Sequence, residues 1–295
     1  MASTHSPSVA AFGGSAAREA RFEISAGLGW PERFRLAIED LREAAAMWQL
    51  AWTLSLLDIK LRYRGSLLGP FWLTLSTTVM IATMGFVYSY LFRTEMKSYF
   101  PFLAFSIIFW NFLSGMMLDG CNTFIQAEAV IKGMKLPFAH HALRTVFRNL
   151  IVLAHNIVVV VAVFVLFRVP IDRFAVLAVP GFLLWLVDGF LACLLFGVIC
   201  TRFRDVPQII QSILQIVFFV TPIMWQPSLV KGHPAISLII AINPFEALLQ
   251  IVRAPLLGDH LGLLAWAVAL LFSGLLLVGS VLLFARARGR IAFWI

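Results

Sequence analysis

Charged residues are scarce in this chain. Asp, Glu, Lys and Arg make up 13% of its 295 residues and hydrophobic residues 61%, whereas a soluble domain carries roughly 25% charged residues. The deficit is local. Long stretches hold no charge at all, and several reach the ~20 apolar residues that a helix needs to cross a hydrocarbon core of about 30 Å. A soluble globular domain is thereby excluded. Cysteine is scarce too. Cys121, Cys193 and Cys200 show no C-x-x-C spacing, and the last two lie in or beside an apolar run. They read as small buried hydrophobes, not as a metal site or a disulfide framework. Catalytic signatures are missing as well: there is no GxxxxGK(S/T) phosphate loop, no HExxH pair and no GxSxG elbow. The six histidines are scattered, with His140 and His141 in a polar segment expected to be a loop. No catalytic residue, metal ligand set or cofactor site is therefore assigned to the chain; if it moves a substrate uphill, another subunit must supply the energy.

The charge that is present is mostly positive, with a net value of +8. Basic chains often bind nucleic acid. Here, however, Lys and Arg concentrate between the apolar runs, which is the orientation signal of membrane proteins, and no nucleic-acid partner is expected.

Along the chain, residues 1–30 are small and polar without the apolar core of a secretory signal, and read as a flexible cytosolic tail. From Phe34 the pattern changes. Phe34, Ile38, Leu41, Ala45, Trp48, Trp52, Leu56, Ile59 and Tyr63 recur at helical steps of three and four, with Arg35, Glu39, Arg42, Glu43 and Gln49 off the stripe. This predicts an amphipathic helix over 31–64 lying in the membrane interface; the same stripe also fits a helix packed on a neighbour. Spanning runs follow at about 68–92, 100–118, 149–167, 174–200, 206–225 and 261–285. With the N-terminus inside, 17 Lys and Arg fall in inside segments and 6 outside. That asymmetry predicts six transmembrane helices with both termini cytosolic.

Three segments carry the functional reading. Lys60, Arg62 and Arg64 place three cations where the interfacial helix meets the first span, which Gly69 and Pro70 punctuate. The cations serve either as a topology anchor or as a collar for an anionic lipid headgroup or diphosphate. The polar stretch between spans two and three mixes charge with Phe124, Ile125, Val130 and Ile131. The stretch 226–258, broken by Pro227, Pro234, Pro244 and Pro255, is too interrupted to span simply and suggests paired re-entrant helices at the outer side. Glu246 and Arg253, seven apart, share a helical face there and either pair, rim the exit or meet water. Asp188 interrupts the fourth run and is expected in the bundle or a cavity, with His155 and Asn156 as alternative neighbours. Tyr88, Tyr90, Trp110, Phe219 and Trp225, placed near the outer ends of their helices, are the candidate path-lining aromatics.

The motif D-x-K-x-R-Y-R-x-S-x-L-G-P-x-W, formed by Asp58, Lys60, Arg62, Tyr63, Arg64, Ser66, Leu68, Gly69, Pro70 and Trp72, resembles the signature of ABC type-2 permeases that export polysaccharides. The stretches RFRDVPQIIQSILQIVFFVTPIMW (202–225) and NPFEALLQIVRAPLLG (243–258), and the closing ARARGRIAFWI, are similar to later segments of O-antigen exporter permeases. The resemblance runs from about residue 50 to the C-terminus. It implies an all-α polytopic subunit of the bacterial inner membrane that forms a homodimer with two copies of a separate ATPase. ATP and Mg enter only through that ATPase. The implied cargo is a glycan on a polyprenyl diphosphate lipid, carried outward as in lipopolysaccharide biosynthesis. The interfacial helix would act as a gate helix, and 122–141 as a coupling helix with Gln126, Glu128, Lys132 and Lys135 available to the ATPase. Other readings are a same-fold exporter of another polymer or a drug, and a membrane glycan-processing enzyme, which 15 carboxylates lying mostly in loops do not favour.

Overall fold

The computed structural model describes residues 29–230, 232–259 and 262–295. The expected tail therefore lies outside the described residues for 1–28, as does Lys231 of the outside charge count. Among the described residues all regular elements are helical: α1 (Trp30–Ala46), α2 (Trp48–Arg62), α3 (Phe71–Leu91), α4 (Met96–Cys121), α5 (Glu128–Gly133), α6 (Phe138–Phe167), α7 (Ala178–Arg202), α8 (Val206–Val220), α9 (Pro234–Ile242), α10 (Pro244–Leu257), α11 (Leu263–Ala287) and α12 (Ile291–Trp294). Five helical runs are long and apolar enough to cross a membrane, six if the bent pair α9–α10 counts as one span. The chain is an all-α, multi-pass membrane protein.

Burial separates the centre from the rim. In α4, 72% of the apolar window is buried inside the subunit, against 17% in α3. Helix α4 is therefore the core element. The buried residues of helix α3 are Thr77, Ile81, Gly85 and Ser89, one residue every four. A Cβ added at Gly85 would stand 2.6 Å from the Phe100 ring of α4, so this is the close small-residue approach that membrane helices use.

Several boundaries differ from expectation, each for a physical reason. The single interfacial helix expected over 31–64 is two helices meeting at Met47. Ala37, Asp40, Ala44, Ala51, Ser55 and Ile59 face the bundle, while Ile38, Trp48, Trp52 and Leu56 of the predicted stripe stay outward. Small residues let these helices lie close on α6, and α1 on α11 as well. Phe34, Leu41 and Ile59 of the stripe pack inward with them. Helix α6 begins at Phe138, not near 149, so His140 and His141 are on a helix and buried, not in a loop. Its first turn is held by Asp40, whose carboxylate accepts the backbone N–H groups of Phe138 at 3.2 Å and Ala139 at 2.8 Å. The fifth expected span stops at Val220, giving α8 only 15 residues, about 22 Å at 1.5 Å per residue. Pro222 disfavours a helical Thr221, and Thr221 is extended with ψ 136°. The three cysteines are free and buried, as expected.

Candidate functional site

At one end of the bundle, called here the α5 end, α2 stops at Arg62. The chain then turns into α3 through Gly65 (φ 84°) and Gly69 (φ 56°), left-handed positions that favour glycine. Lys60, Arg62 and Arg64 are exposed on this turn, and none forms an ion pair with a described residue. Leu67 beside them is 99% exposed and Phe71 72%. Free cations next to bare apolar side chains form a surface suited to an anionic headgroup at a membrane interface.

Asp58 of the same motif is not available to a ligand. Arg144 of α6 grips it with two hydrogen bonds, Nε at 2.8 Å and Nη2 at 2.5 Å. Ser55, one turn earlier, donates to the Arg144 carbonyl at 2.8 Å. Arg148 lies 3.8 Å from Asp58 and 3.0 Å from Asp119, and Asn149 donates to Asp119 at 2.9 Å. Sequence reading missed this cluster, because 86 residues separate Asp58 from Arg144.

The segment 122–135 realises the expected mix of polar and apolar faces. Phe124 and Ile131 are buried, and Phe124 packs edge-on against Phe138. Gln126, Glu128, Lys132 and Lys135 are exposed. Gln126 accepts from Arg148 at 3.3 Å. Lys132 donates to Glu128 at 2.6 Å, and this hydrogen bond holds the Glu128 carboxyl below its ordinary range, with Arg204 adding in the same direction. The helix itself is only six residues, shorter than the 122–141 expected. Arg204 also donates to the Trp294 carbonyl at 3.3 Å. The α7–α8 turn and the C-terminus thus lie at the same end as α5.

At the opposite end, Glu246 and Arg253 form a buried pair at 2.6 Å, with side chains 4% and 5% exposed. Of the alternatives left by the sequence, pairing is the one observed. Arg253 also donates to Ser106 of α4 at 2.9 Å and to the Pro222 carbonyl at 2.8 Å, and its guanidinium stands 4.5 Å over the Phe102 ring. Tyr99 donates to the Met224 carbonyl. These contacts satisfy the non-helical backbone after α8, as irregular backbone at membrane depth requires. Helices α9 and α10 bend by 81° at Asn243, which caps α10 by accepting from Phe245 N–H and donates to Thr221 at 2.9 Å.

The candidate aromatics divide. Tyr90 and Phe219 are 68% and 59% exposed. Tyr88 stacks on Phe92, and Trp225 donates to the Phe219 carbonyl. Among the described residues no ring contact joins Tyr88 or Tyr90 to Phe219 or Trp225. Trp110 is a correction: it lies mid-helix and buried, packed between Phe218 and Phe245, so its ring is core. Asp188 is buried and accepts from Ser273 of α11 at 2.7 Å; His155 and Asn156 are not its partners. One feature escaped the sequence reading. Helix α8 packs through Ile210 and Leu214 and leaves Gln208, Gln211, Ser212 and Gln215 exposed on another side.

The family model described as ABC-2 type transporter matches residues 49–257. The chain is 24% identical over 202 residues to the O-antigen export system permease protein RfbA of Myxococcus xanthus, covering 67% of this chain and 76% of that protein. It is 21% identical over 237 residues to the RfbA permease of Klebsiella pneumoniae, covering 80% and 90%.

Proposed function

We propose, from the premise that this chain belongs to the ABC-2 type transporter family, that it is the membrane subunit of an ATP-driven exporter moving a lipid-linked polysaccharide across the bacterial inner membrane. The chain is a transporter permease, and its relatives of known name are O-antigen export permeases. The observation that carries the cargo class is the exposed, ion-pair-free set Lys60, Arg62 and Arg64 beside Leu67 and Phe71. It matches a polyprenyl diphosphate, whose charge needs cations and whose tail needs hydrocarbon.

On this reading the α5 end is cytosolic and both termini lie there. Segment 122–135 docks a separate ATPase, which alone holds ATP and Mg. Two copies of the chain face each other through α3 and α8, whose bulky and polar sides are unburied in one subunit. The exposed glutamines of α8 line a hydrated path, because amides facing hydrocarbon are costly. The bent pair α9–α10 is a re-entrant cap at the exit. Tyr90 and Phe219 offer the glycan stacking faces along the way.

The test is transport itself. Inverted vesicles holding the chain and its ATPase should accumulate lipid-linked glycan in the lumen only with hydrolysable ATP, and a deletion strain should retain that glycan on the cytosolic leaflet. Glycan export that proceeds normally in the deletion strain would refute the reading.

A further inference from the structure

The surface offered to the ATPase and the surface offered to the cargo are on different elements, 122–135 and 60–64. One run of polar contacts joins them. Arg144 holds Asp58 of α2 by both Nε and Nη2, the two-pronged geometry that fixes position as well as energy. One turn further along α6, Arg148 Nη1 reaches Gln126 at 3.3 Å and Asp58 at 3.8 Å, while Nη2 stands 3.0 Å from Asp119. Asp119 is itself held by Asn149 at 2.9 Å. The Arg148 side chain is 9% exposed, so water and salt screen these contacts little.

The two arginines differ in kind. Arg144 is locked on one carboxylate. Arg148 is shared among three acceptors on three elements: its close approach to Asp119 is not aligned as a hydrogen bond, and its Nε has no partner. A residue shared in this way can lean toward Asp58 or toward Asp119 and Gln126 by small changes of its side chain. Coupling between separated sites needs such an element. A rigid staple would need only the first arginine.

We infer that Arg148, with Asp58, Asp119 and Gln126, is the positioning link that carries a displacement of segment 122–135 to α2 and its basic turn. This inference rests on the reading that 122–135 receives the ATPase. When that segment moves, Gln126 shifts against Arg148 while Asp119 stays with the core helix α4, so the balance of Arg148 between its carboxylates changes and the change reaches Asp58, one turn before Arg62.

The experiment uses the intact complex with its ATPase in proteoliposomes and measures glycan moved per ATP hydrolysed. Asp58→Asn and Asp119→Asn should copurify with the ATPase and hydrolyse ATP within twofold of wild type, while glycan per ATP falls at least fivefold. The double variant should be no worse than either single one, since both break the same link. Arg148→Lys keeps the charge but not the fork; it tests the same ratio should the carboxylate variants accumulate poorly, and should lower it at least threefold. An unchanged ratio, a parallel fall in hydrolysis and transport as loss of a mere staple would give, or multiplying single effects would each overturn the inference. A wild-type complex that moves no glycan instead refutes the functional reading, and the link with it.

Discussion

Asp40 and Arg288 stand 248 residues apart in sequence and 2.7 Å apart in space. Asp40 is fully buried and spends the rest of its carboxylate on the first backbone N–H groups of α6. One side chain therefore joins α1, the start of α6 and the turn after α11. The carboxylate thus meets the Arg288 guanidinium and the positive end of a long helix together.

Asp40→Ala should cost about 3 kcal/mol of stability, the lower end for breaking a buried pair by removing one partner, since Arg288 keeps 28% of its side-chain exposure. Thermal unfolding in detergent should show the loss as a fall in Tm. Asp40→Asn, which can still accept one N–H, should lose less. Equal stability of wild type and Asp40→Ala would mean that Arg288 and the α6 terminus find other partners.

The Glu246–Arg253 pair is more deeply buried, so the full penalty applies. Arg253→Met should destabilise by about 3–5 kcal/mol, because it strands a buried carboxylate and frees the Pro222 carbonyl. Adding Glu246→Gln should recover part of that loss, a non-additivity expected of residues in direct contact. Detergent melting curves of the two singles and the double decide it; additive effects would show the pair to be energetically independent.

Much of the fold was legible because a hydrocarbon solvent demands runs that hydropathy registers directly. What failed was everything depending on a second element. Polar residues at 140–148 looked like a loop, yet Arg144 and Arg148 belong to α6 because Asp58 and Asp119 are there to meet them. Trp110 looked like a path residue, yet rings of α8 and α10 enclose it. Asp188 found Ser273 on α11, a partner that spacing along one helix cannot reveal. The basic turn was legible as a candidate because its chemistry is local. The α8 glutamines were overlooked because a short apolar helix hides its polar side until packing shows which face is spent.

For the basic turn, Arg62→Gln with Arg64→Gln should cut export at least tenfold at equal protein level, leaving insertion and complex formation intact. The exposed positions of both residues make a folding defect an unlooked-for result, detectable by size-exclusion profile. Unchanged export would assign the cations to topology alone.

The α8 glutamines separate a path from a packing face. If Gln211 and Gln215 border water and cargo, replacing both with Leu removes amides that no other described residue binds, so the isolated subunit should melt no lower than wild type. Transport should nevertheless fall several-fold, because an apolar stripe no longer solvates a hydroxyl-rich polymer. If the same side instead packs against a second copy through amide hydrogen bonds, the double Leu variant should lose its dimer, visible as a shift in size-exclusion mass. Loss of transport with the dimer intact supports the path. Normal transport would remove the glutamines from it, because a hydrated route cannot tolerate two exposed leucines at its wall without slowing what passes.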